Sequence, residues 1–500
     1  MDWTLVIALA HAVIASLLAA ALNIWIDEGY TLDTTSRSVA YAWSQAVNFE
    51  SQPPAYFIVM TLWRRLADSV FFARLFSVCC TTATILLATR ISKLCLGNSV
   101  RPYLLPLLIA VHPLTLFAAV EMRRYALVLL LTSCLLIVFH KAFTDADCPS
   151  PHWSLLYPFV GLVSLYTDYF TGFVLAAQSV LLITKCRWRG LTIQAACLAV
   201  VAVGSIPLLS TVLSQLKTYE LHEPSSMSQL AKTLRYASYS LDSLLMTQWL
   251  GPLNRPAKLL LLAAAAYAAV RLYRRVRAAA APSHAADPVV LTAAIASCLL
   301  AASFVFAPSI LQPKHFIVLL IPLNLVFLAL LTFFRREFCA FAIAALATIN
   351  VLGCIHDFGH LAKRGDCKRV ARFIQERERP HEPIVIFNAE VALGFEEYYR
   401  GLNELVIVPR PVSFDEYNLR DLILKDESEF WSSFSEFPAV PANIWVLTDS
   451  ATDPQSTVCG YGDIDFNCEL FESILSRRFV LIYQEKFFQS RVRYFGGPVE

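Results

Sequence analysis

Long apolar runs recur along this chain and constrain its fold more than any other feature. The first run, residues 5–26, is long enough to cross the hydrocarbon core of a bilayer. Of the 500 residues, 57% are hydrophobic and 16% are charged, and the mean hydropathy is +0.54. A soluble domain cannot bury that much apolar surface, so the sequence predicts a polytopic α-helical membrane protein.

Further apolar runs follow, and no internal repeat relates them. The first run lacks a small-residue cleavage site, so we expect it to be retained as a span. Segment 54–66 is too short to cross and is expected to re-enter the membrane. If segment 54–66 is not counted as a span, the sequence predicts about eleven spans. After 5–26 these are 71–94, 103–120, 125–140, 153–166, 169–183, 191–213, 257–272, 289–307, 316–334 and 338–355.

Clusters of Lys and Arg predict the orientation, because short cytoplasmic loops are enriched in these residues. This rule places Asp27, Glu121 and Asp168 outside, together with residues 214–256 and those after 357. It also places Arg64 and Arg65 outside, against the general trend. The cytoplasmic clusters are Arg90, Lys93 and Arg101; Lys185, Arg187 and Arg189; Arg271, Arg274, Arg275 and Arg277; and Arg335 with Arg336.

The composition changes after residue 356. Charged residues become more frequent, and short strand-like runs alternate with helical stretches, which predicts a small α/β domain with a largely parallel sheet. We therefore expect a membrane domain at 1–356 and an extracytoplasmic domain at 357–500 that acts as a folded cap. The strand-like runs are 383–387, 405–408, 444–447 and 479–483, and the helical stretches are 368–378 and 390–399.

Charge and cysteine usage exclude some functions. The net charge of +2 gives no sign of a nucleic-acid partner, and the domain after 356 has no Gly-rich phosphate loop. The thirteen cysteines show no metal-ligand spacing. Cys459 and Cys468 flank a short turn-rich segment, and the sequence leaves open whether they form a disulfide or stay as two thiols.

Two adjacent carboxylates, Asp27 and Glu28, stand where the first apolar run ends. Carboxylates among lipid tails are costly, so this pair belongs at the interface or in a polar cavity. It either marks only the end of a helix or supplies a general base. Residues 37–49 mix aromatic and polar side chains, as expected of a helix on the membrane surface.

Three later junctions also carry polar side chains between apolar runs. Glu121, Arg123 and Arg124 form either a structural ion pair or part of a site. Asp168 lies in an aromatic junction that is otherwise typical of an interfacial belt. Lys314 and His315 open a late helix, where a cation either binds a lipid phosphate or anchors the helix at the interface.

Together these motifs resemble those of the GT-C fold glycosyltransferases. The likeness is to the dolichyl-phosphate-mannose protein mannosyltransferase superfamily and its bacterial relatives, including lipid A aminoarabinose transferases, and it covers residues 3–355. The motifs read Asp27-Glu28, Gln52-Pro53-Pro54-Ala55-Tyr56, Arg74-Leu75-Phe76-Ser77, Glu121-Met122-Arg123-Arg124-Tyr125-Ala126, Tyr166-Thr167-Asp168-Tyr169-Phe170 and Pro313-Lys314-His315.

This chain departs from the family pattern at three places. Gln52 stands where family members often have His or Lys, Asp168 stands for the usual His, and Lys314-His315 stands for Arg-Tyr. The resemblance implies that each of these positions is a candidate for contact with the donor phosphate or the acceptor. The departures therefore bear on the identity of the donor and the acceptor.

The resemblance implies an inverting glycosyltransferase of the cytoplasmic (inner) membrane that moves a hexosyl or pentosyl group. The donor would be a polyprenyl-phosphate-linked sugar, and the acceptor a lipid, glycan or protein at the outer face. The residues it assigns to catalysis are Asp27, Glu28 and Glu121. Donor or phosphate binding falls to Lys314, Arg123, Arg64, Arg65, Gln52 and His315, and acceptor or sugar binding to Tyr30, Tyr56, Asp168 and Tyr125.

Two other functions fit a chain of many spans. A transporter would also carry embedded charges, but we see no inverted repeat and no matching pair of broken helices. A non-catalytic envelope assembly protein is the third hypothesis. No metal site is predicted and no cofactor is required, although two adjacent carboxylates offer the oxygen ligands that divalent cations prefer.

The predicted orientation can be tested by labelling single introduced cysteines from outside intact cells. Ser225→Cys and Ser456→Cys should react, because both lie on the outer side, whereas Ala279→Cys should not. Labelling of Ala279→Cys from outside would overturn this topology.

Overall fold

The computed structural model describes most of the chain in two compact units. The first is drawn from the described residues of Met1–Ala20, Gln52–Leu221 and Ser226–Asp357, and the second from those of Ala21–Ser51 and Phe358–Glu500. Residues 21–51, which the sequence assigned to the membrane domain, thus pack with the C-terminal residues. The described residues are 2–144, 150–213, 228–245, 286–306, 308–415, 418–435, 437, 441–452, 459–460 and 464–497, with isolated residues between 252 and 270. Positions 225, 279 and 456 lie outside them.

Helices make up the first unit. Within the described residues, six are long and apolar enough to span a membrane: Trp3–Ala21, Val70–Leu96, Tyr125–Thr144, Ala286–Val305, Pro313–Leu331 and Arg336–Phe358. Thr171–Thr184 and Trp188–Gly204 are shorter apolar helices. These features make the chain a multi-pass membrane protein. Run 257–272 lies outside the continuously described residues.

Local breaks explain why fewer than eleven full spans are seen among the described residues. Run 103–120 divides into Leu104–Ala110 and Pro113–Ala119, because His112 accepts a hydrogen bond from the backbone N–H of Leu114 and Pro113 opens a new helix. Helix Ala55–Arg64 has 10 residues, about half the length of a span. Two further helices among the described residues of this unit are Pro151–Thr167 and Gln229–Leu245.

The first helix, α1, runs from Trp3 to Ala21 and ends earlier than the apolar run predicted. The Asn23 side chain donates to the backbone oxygen of Ile24, and Trp25 is extended. Asn favours such local bonds over helix continuation. A separate helix, α2, then runs from Ile26 to Thr34, followed by α3 at Val39–Asn48. Asp27 and Glu28 therefore begin their own helix instead of ending the first span.

The second unit contains a five-stranded sheet in the order β2-β1-β3-β5-β4. Pairs β1–β2 and β1–β3 are parallel, whereas β3–β5 and β4–β5 are antiparallel, so the predicted largely parallel sheet is in fact mixed. The strands are β1 Ile384–Phe387, β2 Leu405–Val408, β3 Asn443–Asp449, β4 Val480–Phe487 and β5 Ser490–Gly496.

The interior strand β1, which pairs with β2 on one side and β3 on the other, is buried on both faces. Val385 and Phe387 belong to one hydrophobic cluster, and Ile384 and Ile386 belong to another. Helices cover these faces, as expected for parallel strands. They are Cys367–Gln375, Ala389–Glu396, Glu427–Ser432 and Cys468–Arg478.

Cys459 and Cys468 form a disulfide in this unit. Of the two readings left open by the sequence, the structure shows the bridged one. The bond closes a short loop, and a loop of this size is expected to add about 2–3 kcal/mol to the free energy of unfolding.

This disulfide generates a prediction. Cys468→Ser should lower the midpoint of thermal unfolding of the C-terminal unit, because the unfolded chain loses a cross-link. Cys186→Ser, at an exposed free cysteine, is the matched control. Mass spectrometry without reductant should recover Cys459 and Cys468 in one linked peptide, and alkylation of both thiols under those conditions would rule the bond out.

Candidate functional site

Asp27 and Glu28 lie in the first turn of α2, where the positive end of the helix dipole favours carboxylates. Glu28 is fully buried, with an exposure of 0%, and its Oε2 accepts a hydrogen bond from Lys363 Nζ at 3.0 Å. Lys363 is itself 8% exposed. A buried carboxylate is stable only when it is paired, so Lys363 is the counter-ion that allows Glu28 to sit there.

The backbone of Lys363 is fixed by the side chain of Asn23. Asn23 Oδ1 accepts from the Lys363 N–H at 2.9 Å, and Asn23 Nδ2 donates to the carbonyl oxygens of Lys363 at 3.0 Å and Gly365 at 2.8 Å. Asn23, which follows the end of the first helix, therefore also positions Lys363, the counter-ion of Glu28. These bonds join the chain before α2 to the chain after the last apolar helix.

Helix Ala389–Glu396 also contacts α2. Tyr30 donates its hydroxyl to Glu390 Oε1 at 2.7 Å, and both side chains are buried. Gly29 lies so close to Leu393 that a Cβ atom at position 29 would come within 3.1 Å of it. The C-terminal part of the second unit thus forms the surroundings of the Asp27–Glu28 motif.

A second polar cluster lies in the first unit and centres on Arg124. Its Nε donates to Asp168 Oδ2 at 2.6 Å, and its Nη1 donates to the side-chain oxygen of Gln52. Asp168 also accepts from the backbone N–H of Phe170 at 2.8 Å. Gln52 and Asp168, two of the three departures from the family pattern, therefore both accept hydrogen bonds from the guanidinium of Arg124.

This contact gives a physical reason for the paired departures. A cationic Lys or protonated His at position 52 or 168 would repel Arg124, whereas an amide oxygen and a carboxylate both accept its hydrogen bonds. Glu121 and Arg123 lie beside this junction and are also buried. The backbone oxygen of Glu121 accepts from Ser77 Oγ at 2.6 Å.

Lys314 and His315 open the helical segment Pro313–Leu319 in the same unit. His315 Nδ1 lies 2.9 Å from the Ile310 oxygen, and its ring stacks on Phe170 with centroids 4.6 Å apart. The Lys314 side chain is half-buried and has no ion pair or hydrogen bond with the described residues. An ammonium in that setting has the capacity to bind an external anion.

The other predicted residues lie in more ordinary surroundings. Arg64 Nε donates to Asp68 at 3.1 Å, and Arg65 is exposed. Tyr56 packs edge-on against Phe57, and Tyr125 packs against Phe117; both tyrosines are buried. No group of three potential metal ligands occurs among the residues that the structure describes.

Three residues with central contacts were not assigned roles from sequence: Lys363, Arg124 and Glu390. Lys363 follows the last apolar run in a charged stretch that resembles an ordinary loop. The sequence pointed to Lys363 only indirectly, because a buried carboxylate needs a cationic partner. Arg124 lies within the Glu121–Ala126 motif, but the resemblance assigns phosphate binding to Arg123.

Comparison with solved structures finds ArnT from Cupriavidus metallidurans in two states. The ArnT structure bound to undecaprenyl phosphate is similar over 98% of this chain and 97% of that chain, with 13% identity and a TM-score of 0.48. The apo ArnT structure is similar over the same shares, with 14% identity and a TM-score of 0.40. No protein-family model and no curated protein matches the chain. The sequence identities and TM-scores are too low for this likeness to assign an activity to the chain.

The Glu28–Lys363 pair yields a stability prediction. Lys363→Met should cost about 3–5 kcal/mol of unfolding free energy, because it leaves a buried carboxylate without its counter-ion. The double variant Glu28→Gln with Lys363→Met should recover much of that loss. Lys368→Met, at an exposed lysine nearby in sequence, is the control. Additive effects of the two changes in thermal unfolding would contradict the pairing.

Proposed function

We propose that the chain is an inverting glycosyltransferase that moves a sugar from a polyprenyl-phosphate-linked donor to an acceptor at the outer face of the cytoplasmic membrane. The observation that carries this proposal is the paired-carboxylate turn of α2. Glu28 is buried against Lys363, so its charge is already compensated within the protein. Asp27, the adjacent carboxylate, is then the candidate for proton transfer.

The reaction requires two charge movements. The acceptor hydroxyl loses a proton as its oxygen attacks the anomeric carbon, and Asp27 is proposed to take that proton. The bond between the anomeric carbon and the phosphate oxygen breaks, and its electron pair stays on the lipid phosphate. A fixed cation stabilises this departing charge. Lys314 is proposed for that role, because its half-buried ammonium has no anionic partner among the described residues.

Arg124 is proposed to position the polar junction of the first unit rather than to bind the phosphate. Its hydrogen bonds to Asp168 and Gln52 already engage the guanidinium. Arg123 and Glu121 remain candidates for contacts with donor and acceptor. The extracytoplasmic position of the C-terminal unit is part of the same proposal, and the Cys459–Cys468 disulfide supports it, because such bonds persist in oxidising compartments.

Substitution of Asp27 tests the proposed base. Asp27→Asn keeps the size of the side chain and removes its basicity, so turnover per folded molecule should fall about 100- to 10,000-fold. Asp33→Asn, the same change in the same helix, should leave turnover near that of the unmodified chain. Near-normal turnover in Asp27→Asn would remove Asp27 from the mechanism and direct attention to Glu121.

The same assay separates the roles of the neighbouring charges. Glu28→Gln should have a milder effect on turnover of the protein that folds, and Lys314→Ala should chiefly raise the KM for the lipid-phosphate donor. A Lys314→Ala variant with an unchanged donor KM would contradict the phosphate-binding role.

A further inference from the structure

The chain passes from an apolar helix into the second unit at two places. The first helix, α1, ends at Ala21, and the last apolar helix ends at Phe358; both of these residues belong to the second unit. A residue that ends a span lies at the level of the lipid headgroups. Residues that contact Ala21, or that follow Phe358 by a few positions, are therefore held close to the surface of the membrane.

The segment that follows Phe358 is strongly basic. Residues 358–376 contain five Lys and Arg but only two Asp and Glu. Lys363 already serves as the counter-ion of the buried Glu28. The other four basic residues are exposed: Arg364, Lys368, Arg369 and Arg372.

Helix Cys367–Gln375 explains why its three basic residues are exposed. Val370 and Ile374 belong to a hydrophobic cluster that packs on one face of the sheet. In an amphipathic helix the polar side chains occupy the side opposite the apolar ones. The three basic side chains therefore form a cationic surface on the outside of the unit.

Two of the exposed cations have charges that no carboxylate of the described residues offsets. Arg369 and Arg372 each pair with a carboxylate three or four positions away. Arg364 and Lys368, by contrast, have no carboxylate partner within the part of the chain that the structure describes. Their charges are therefore available to an external anion.

Contacts with the chain just after α1 hold these two cations in place. The guanidinium carbon of Arg364 lies 4.0 Å from the ring centroid of Trp25, four positions beyond Ala21. Lys368 Nζ lies 3.5 Å from the backbone oxygen of Ala21 itself. The carbonyl groups at the C-terminus of a helix attract a cation. Both charges are thus fixed beside the end of the first span.

Leu361 adds an apolar side chain to the same segment. It follows Phe358 by three positions, and its side chain is 53% exposed. Its backbone φ is 49°, in the left-handed region that residues other than Gly, Asn and Asp rarely adopt. Exposure to water and this backbone conformation are both unfavourable for a leucine. A bilayer would cover the side chain, as it covers the apolar residues of other interfacial segments.

We propose that Leu361, Arg364 and Lys368 form a lipid-docking surface for the anionic phosphate headgroups of the leaflet at which α1 and the last apolar helix end. Basic segments beside a span bind anionic lipids electrostatically. A lipid supplies a phosphate for the two cations and an acyl chain for Leu361, whereas a soluble anion would leave the leucine in water.

This surface does not depend on the proposed transferase reaction, but it bears on the candidate site. Lys363 lies between Leu361 and Arg364 in the chain. Docking of its neighbours to the bilayer would therefore restrain the loop that supplies the counter-ion of Glu28.

Amide hydrogen exchange of residues 359–366 in the full chain tests the surface. The chain would be held in uncharged detergent micelles while phosphatidylglycerol is added. Exchange in this segment should slow as the lipid binds. The same amount of phosphatidylcholine should have a much smaller effect, because its headgroup has no net charge, and added salt should reverse the protection.

Variants separate the cationic and apolar contributions. Arg364→Gln and Lys368→Gln should each raise the apparent Kd for phosphatidylglycerol about fivefold. Arg420→Gln and Lys425→Gln, at exposed cations elsewhere in the same unit, are the matched controls and should bind like the unmodified chain. Leu361→Asn should weaken binding about tenfold, although Asn tolerates a left-handed backbone better than Leu.

Unfolding midpoints in the same detergent without added lipid should change little in the Gln variants, because the surface then has no lipid to bind. The docking surface is rejected if phosphatidylglycerol gives no protection, if phosphatidylcholine protects equally, or if Arg364→Gln and Lys368→Gln bind like their controls. Protection by inorganic phosphate alone would replace the bilayer with a free anion as the occupant. Tighter binding of a polyprenyl phosphate than of phosphatidylglycerol would assign the segment to the lipid donor instead.

Discussion

The buried ion pair between Glu28 and Lys363 is the constraint on which the second unit depends. The two residues are 335 positions apart in sequence, and Asn23, just before α2, fixes the backbone of Lys363. A carboxylate with no exposed surface would be strongly destabilising without that lysine. The pair therefore requires the start of the chain and its C-terminal part to fold together. It also fixes the turn that carries Asp27.

The need of buried polar and charged groups for partners also shapes the polar junction of the first unit. Arg124, Asp168 and Gln52 satisfy one another where His or Lys would be expected at two of the three positions. A change at one of these positions would leave a charge or an amide without its partner. Gln52 and Asp168 are thus best understood as one coupled pair of departures rather than as two separate losses.

The sequence predicted the elements whose signals are local. The apolar runs at 71–94, 125–140 and 338–355 correspond to helices Val70–Leu96, Tyr125–Phe139 and Arg336–Phe358. The four strand-like runs correspond to β1 through β4. Strand β5 was missed because Arg491 and Arg493 interrupt its apolar pattern; in the structure, Glu472 pairs with the buried Arg493. Omission of β5 also made the sheet look largely parallel.

The candidate site was predictable only in part, because a sequence shows local patterns but not contacts between distant residues. The carboxylates Asp27 and Glu28 are adjacent in sequence, so their position after an apolar run could be noticed. Their partners Lys363 and Glu390 are distant in sequence and lie in stretches with no motif of their own. A need for a counter-ion can be derived from a buried charge, but which lysine supplies it depends on the folded contacts.

Turnover of a lipid-linked sugar by the purified chain tests the central claim most directly. The full chain would be placed in lipid nanodiscs with polyprenyl-phosphate sugars that carry a radiolabel in the sugar, together with lipid, glycan or protein acceptors. The account predicts that label leaves the donor lipid and that free polyprenyl phosphate appears in the same molar amount as the labelled product. Label that stays on the donor lipid with every donor, while the protein remains folded, would contradict it.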